Sequence, residues 1–127
     1  MIVNVRYFVA DVEKSIAFYK DVLGFELVVQ WGPAFAIVSL DKSNQLWLSG
    51  PGTSAATAVA EDGSMAAPGG WNRIVVPVHD LEANLPQLVA SGVKVRVGLV
   101  AGPGGKQVLI EDPDGNPIEL FDPNLKM

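Results

Sequence analysis

Residues 3–9, VNVRYFV, alternate two sets of side chains. Val3, Val5, Tyr7 and Val9 form one set and Asn4, Arg6 and Phe8 the other, which is the period of a strand that packs one face and leaves the other to a cleft. In VEKSIAFYKDVLGF the period changes. Val12, Ile16, Tyr19 and Leu23 fall three or four residues apart, one stripe of an amphipathic helix. Asp11 is placed to cap that helix, and Gly24 to end it in the left-handed conformation. Three short strands follow, FELVVQW, AFAIVSL and NQLWLSG, parted by the turn residues GP and DKSN. The first half therefore reads β-α-β-β-β.

The second half repeats that order. WNRIVVPV reads as a strand ending at Asp80. A helix is expected from about Leu85 to Ala90, with Asn84 as its cap, Pro86 in its first turn and Gly92 as its stop. KVRVG, KQVLIED and PIELF read as strands, with a hairpin turn over Gly102 to Gly105. When Asp11 is set over Asp80, Val9 falls on Val78, Val12 on Leu81 and Glu13 on Glu82, so the chain carries an internal repeat. The expected fold class is α+β: two paired βαβββ modules forming a concave, cleft-containing mixed sheet. Module one covers 1–50 and module two 71–127, within a single domain 1–127. Between them, 51–70 is small, polar and glycine-rich and reads as a linker or mobile loop.

Composition narrows the chemistry. The chain has 127 residues, 49% hydrophobic and 18% charged, enough for one folded domain with a large apolar interior. Its net charge of -5 argues against nucleic acid and anionic membranes as partners. With no cysteine, disulfides, thiolate metal sites and cysteine nucleophiles are excluded, and His79 is the only histidine. No segment reaches the length of a membrane span, and the first residues read as a strand rather than an export signal, so a cytoplasmic location is expected. Ser15 and Ser49 have no visible base partner. GPGGK precedes a strand, not a helix whose N-terminus could hold a phosphate.

FVADVEKSIAFYKDVLGF resembles the opening signature of the vicinal oxygen chelate superfamily, the group of glyoxalases, bleomycin resistance proteins and extradiol dioxygenases. DPDGNPIEL resembles its closing signature. The resemblance implies the paired-module fold and, in the enzymes, one divalent metal held by four side chains. The matching positions here are Asn4, a residue at or near Trp47 (Gln45 and Ser49 share its strand face), Arg73 and Glu119. Only Glu119 is of the expected type. Asparagine is a weak ligand, tryptophan is not one, and arginine brings a fixed positive charge. No metal and no other cofactor are therefore expected.

Strand parity says what Glu119 faces. Ile118 and Leu120 belong to the helix side and Glu119 to the cleft, where Arg73, on the face of Trp71 and Val75, becomes its candidate ion-pair partner. Trp47 and Trp71 are expected as aromatic walls, with Trp31 at the mouth and Phe35 or Ile37 adding to the wall. The expected ligand-binding set is Asn4, Arg6, Trp47, Trp71, Arg73 and Glu119, lining one concave pocket; no catalytic residue is assigned. The function that follows is metal-free binding of a small molecule, aromatic or partly cationic, of the antibiotic-sequestering kind, with Arg6 and Arg73 counting against a strongly cationic one. The alternative is a lyase, isomerase or dioxygenase of the same superfamily. A homodimer is expected from the apolar content, the sparse charge and the resemblance.

Overall fold

In the computed structural model, which describes residues 3–123, each half of the chain folds a helix onto one face of its own four-stranded sheet. The chain divides into two compact units, Met1–Gly69 and Gly70–Met127.

In the first unit β1 (Val5–Phe8), α1 (Val12–Asp21), β2 (Glu26–Trp31), β3 (Phe35–Ser39) and β4 (Gln45–Ser49) follow in order. The sheet order is β1-β4-β3-β2, with β1 parallel to β4 and the other pairs antiparallel. The helix side is built as the alternation demands. Tyr7 and Val9, with Ala36, Val38, Leu46 and Leu48, are buried with Val12, Ile16 and Tyr19 of α1. Each large apolar side chain so buried contributes about 1.5–3 kcal/mol. Asp11 caps α1 by accepting from the Lys14 amide at 3.1 Å, and Gly24 closes its end with a φ of 75°. Residues 51–69 belong to this unit. They form one helical turn, α2 (Ser54–Thr57), and a bridge between Val59 and Met65.

The second unit contains β5 (Ile74–Pro77), α3 (Leu81–Ala90), β6 (Lys94–Gly102), β7 (Gly105–Glu111) and β8 (Pro117–Pro123), with sheet order β5-β8-β7-β6. Here β5 is parallel to β8, so the paired β-α-β-β-β reading holds in both units. Val76, Val108, Ile110, Ile118 and Leu120 are buried with Leu81 of α3. The tight approach of β7 to β8 requires Gly105: a Cβ there would lie 2.2 Å from the Asp122 carbonyl oxygen.

α3 starts a turn earlier than the sequence pattern predicts. Leu81 opens it, Asn84 lies within it, and Pro86 is in its interior rather than its first turn. Two contacts outweigh the proline, which deprives the Glu82 carbonyl of its helical amide. Leu81 is buried, and its amide donates to Asp122 Oδ2 at 3.1 Å, so a carboxylate on β8 takes the role of the cap. β5 is also shorter than expected: Trp71 and Arg73 precede it. Likewise β1 begins after Asn4.

The segment DPDGN, which opens the closing signature, is a turn with its own buried network. Asp112 Oδ1 accepts from the amides of Asp114 and Asn116, both at 2.9 Å, while Asn116 Nδ2 donates to Asp112 Oδ2 at 2.9 Å. Both side chains are buried. This turn fixes where β8 begins, and with it the face on which Glu119 projects.

Candidate functional site

On the sheet face of the first unit away from α1, register places Arg6 beside Trp47, and Trp47 beside Ile37. Phe35 pairs with Trp31 on one side and Ser49 on the other. These residues form an aromatic corner. Trp31 stacks on Phe35 with ring centres 5.3 Å apart, and Phe35 meets Trp47 edge to face at 5.8 Å. The Arg6 guanidinium carbon lies 5.1 Å from the Trp47 ring centre and 6.0 Å from that of Phe35. Arg6 Nη1 donates to Ser49 Oγ at 2.9 Å, which holds the cation in place. Trp47 Nε1 donates to Gln45 Oε1 at 3.0 Å, so the indole is fixed at both ends. Trp31 is 64% exposed and offers the accessible ring of the corner. Asn4, exposed and ahead of β1, is not among these contacts.

In the second unit the face away from α3 carries a small pocket. It is lined by Trp71, Arg73, Val97, Val100, Leu109 and Glu119, together with Gly98 and Gln107. Leu109 and Glu119 are direct cross-strand partners, and Gln107 is one step along the same face. Arg73 Nε and Nη2 both donate to Glu119 Oε1, at 3.0 and 2.8 Å. Their side chains are 29% and 12% exposed, so the pair is shielded on the carboxylate side. With its nitrogen turned to the carboxylate, Gln107 donates to Glu119 Oε2 at 2.8 Å. The floor of the pocket is therefore a closed polar unit of little net charge, and its rim is apolar.

Trp71 is at the rim, 63% exposed, with one face covered by Arg96, whose guanidinium carbon is 4.7 Å from the ring centre. Arg96 is itself anchored. Nε donates to Glu111 Oε2 at 2.8 Å, Nη2 to the Gly115 carbonyl at 2.8 Å, and Nη1 to the Gly70 carbonyl. The Arg96 hydrogen bond, with help from Lys94, holds the Glu111 carboxyl below the usual glutamate range.

Of the sequence-derived set, then, Arg6 and Trp47 are in contact in the first unit, and Trp71, Arg73 and Glu119 line one pocket in the second. Trp71 is brought there by Arg96 and not by strand parity, since neither Trp71 nor Arg73 is within β5. The expected Arg73–Glu119 pair is present. Sequence reasoning missed Arg96 and Gln107, and also Val97, Gly98 and Val100. Two register shifts in β6, between Val95 and Val97 and between Val97 and Val100, turn those last three toward the pocket. A clue to Arg96 was available: an arginine between two valines inside a strand needs a partner. His79 is exposed, and its carbonyl accepts from Asn84 Nδ2 at 3.4 Å.

A divalent metal, implied by the resemblance at Asn4, Trp47, Arg73 and Glu119, does not fit these residues. The one carboxylate has an oxygen committed twice over to a permanent cation, and a guanidinium so close would repel the ion. Among the described residues no group of three or more histidine, cysteine, aspartate or glutamate side chains comes together. No helix of the described residues is long and apolar enough to cross a membrane.

Comparison with known proteins gives a consistent picture. A family model described as Glyoxalase/Bleomycin resistance protein/Dioxygenase superfamily matches residues 1–120. Among solved structures, TnmS3, an antibiotic binding protein from Streptomyces sp. CB03234, is 27% identical, with a TM-score of 0.72 over 98% of this chain and 96% of its own. A superfamily member from Sphaerobacter thermophilus is 27% identical, with a TM-score of 0.74 over 96% of each chain. The lactoylglutathione lyase of Agrobacterium tumefaciens, 22% identical, shares the fold with a TM-score of 0.73 over 96% of this chain and 92% of its own. The curated proteins give no match. With matching element order in both units and a family match that spans residues 1–120, the chain belongs to the glyoxalase/bleomycin resistance protein/dioxygenase superfamily.

Proposed function

We propose that this protein binds a small planar aromatic molecule, of the antibiotic-sequestering kind, without a metal and without transforming it. The observation that carries the reading is the Arg73–Glu119 pair, 2.8 Å apart. It engages the only retained metal-type ligand of the four matched positions, and it does so with a charge that excludes a cation. A pair held this way is also a poor acid–base catalyst, because the carboxylate oxygen nearest the cation is already an acceptor twice over.

What remains for the pocket is recognition. Trp71 offers a ring face, Val97, Val100 and Leu109 offer apolar contact, and Arg73, Gln107 and Glu119 offer a polar floor. Such a surface suits a planar ligand that stacks and bears neutral polar groups. The aromatic corner around Trp47 provides a second surface of the same chemistry in the first unit. The likeness to a protein described as antibiotic binding supports this reading. Association into a homodimer belongs to the same proposal. The outermost strand β2 exposes Leu27, Val28 and Trp31, an apolar row that an edge strand normally avoids.

Elemental analysis of protein purified without chelator, beside calorimetric titration with planar aromatic antibiotics, tests the proposal. Substoichiometric transition metal and saturable binding are expected. One tightly held metal per chain that disappears in Glu119→Gln would overturn it, as would the absence of any binder across the panel. Sedimentation showing only a 13.5 kDa species would remove the dimer.

A further inference from the structure

The pocket floor of the second unit is closed at the carboxylate and open at the cation. Glu119 Oε1 accepts twice from Arg73, and Oε2 accepts from Gln107. A guanidinium carries five N–H groups and accepts nothing. Two of those on Arg73, one on Nε and one on Nη2, go to Glu119. A third, on Nη1, reaches the Trp71 carbonyl at 3.5 Å, the long limit of a hydrogen bond. One N–H on each terminal nitrogen is left without an acceptor among the described residues. Arg73 also has surface from which to use them. Its side chain is 29% exposed where that of Glu119 is 12%, and it lines the pocket together with Trp71.

Both groups are held in place from elsewhere. Arg96 covers one face of the Trp71 ring, so the other face is the one presented. Arg73 is fixed by two bonds that converge on a single carboxylate oxygen. A planar ring lying on Trp71 therefore finds an oriented donor at the polar floor, while the carboxylate there is already engaged at both oxygens. That combination selects an acceptor. A ligand ammonium would meet the Arg73 charge directly. A ligand carboxylate would find the N–H groups, but Glu119 already offsets the charge behind them, so a second anion gains little over a neutral oxygen. A hydrogen bond from a cation to that oxygen is stronger than one between neutral groups. We infer that this pocket takes planar aromatic ketones, with Trp71 carrying the ring and Arg73 donating to the conjugated carbonyl oxygen. The inference rests on the proposed function and names the polar chemistry of its ligand.

In ¹⁵N-labelled protein the Trp71 indole N–H, identified by its loss in Trp71→Phe, reports on the site. The test titrates that protein with 9-fluorenone, with fluorene, which lacks the oxygen, and with fluorene-2-carboxylate, which is charged. Fluorenone should shift the Trp71 signal saturably, about tenfold more tightly than fluorene, the size of one hydrogen bond from a charged donor, and no more weakly than the carboxylate. The double variant Arg73→Met, Glu119→Gln removes both charges together. There fluorenone should fall to the level of fluorene, whose own affinity should hold and so controls for damage to the fold. Glu119→Gln alone should turn the preference toward the carboxylate, because the Arg73 charge then lacks its counter-charge. Equal wild-type affinity for fluorenone and fluorene, or a ketone preference that survives the double variant, would overturn the inference and leave the planar-ligand reading standing. So would a carboxylate bound more tightly than the ketone by wild type, or an unchanged order of ligands in Glu119→Gln. A Trp71 signal that none of the three moves would overturn the inference and the role of this pocket in the proposed function together.

Discussion

The Arg96 guanidinium carbon lies 4.7 Å from the centre of the Trp71 ring, while its nitrogens donate to Glu111, Gly70 and Gly115. A residue on β6 thereby fixes an otherwise exposed indole at the pocket rim. The side chain that presents an aromatic face to solvent is ordered by a cation behind it, so little of its rotamer freedom is left for a ligand to remove.

Arg96→Met should release Trp71. In a Trp31→Phe, Trp47→Phe background, where Trp71 alone emits, its fluorescence anisotropy should fall and acrylamide quenching should rise. Stability should drop by about 2 kcal/mol, since a carboxylate with a charge-assisted partner loses it. Arg96→Lys should recover only part of both effects, because an ammonium cannot reach three acceptors as a planar fork does. Unchanged anisotropy in Arg96→Met would mean that Trp71 is held by something else.

Glu111 predicts a pH dependence. Its folded pKa is depressed, by the Arg96 hydrogen bond first and by Lys94 after it. Its contribution is therefore fully present above the ordinary glutamate value of 4.5 and is lost as pH falls through the lower folded value. Denaturant titrations from neutral pH downward should show wild type losing stability more steeply in that acid window than Glu111→Gln. Parallel acid limbs for the two proteins would remove Glu111 as the cause.

The Arg73–Glu119 pair should show a measurable coupling. A double-mutant cycle with Arg73→Met and Glu119→Gln should give about 1 kcal/mol, the upper part of the range for exposed pairs, because the Glu119 side chain is only 12% exposed. A coupling near zero, with ligand affinity lost in both single variants, would make the two residues independent ligand contacts instead.

Trp47→Ala should weaken binding of a planar ligand by about 1–3 kcal/mol, as expected of an aromatic anchor. Some stability should go with it, since Trp47 also meets Phe35 and Arg6. Calorimetry and thermal melts on the same samples separate the two effects. Reduced stability with unaltered affinity would make Trp47 a packing residue.

Much of this architecture is legible in the sequence, because local periodicity and local capping determine elements. The α1 stripe of Val12, Ile16 and Tyr19, the Asp11 cap and the Gly24 stop lie within one stretch of chain, and so does the strand alternation that separates Glu119 from Ile118 and Leu120. The likeness between the segments around Asp11 and Asp80 carries the paired order of elements as well. What the sequence alone could not decide depends on partners far along the chain. α3 begins at Leu81 because Asp122, forty-one residues later, accepts its amide. Trp71 reaches the pocket because Arg96 lies under it, and Val97 and Val100 join it because β6 shifts register against β7. Arg6 meets Ser49, forty-three residues later, only because β1 pairs in parallel with β4. Propensity and periodicity act over a few residues, whereas a pocket is closed by contacts whose sequence separation no local pattern records.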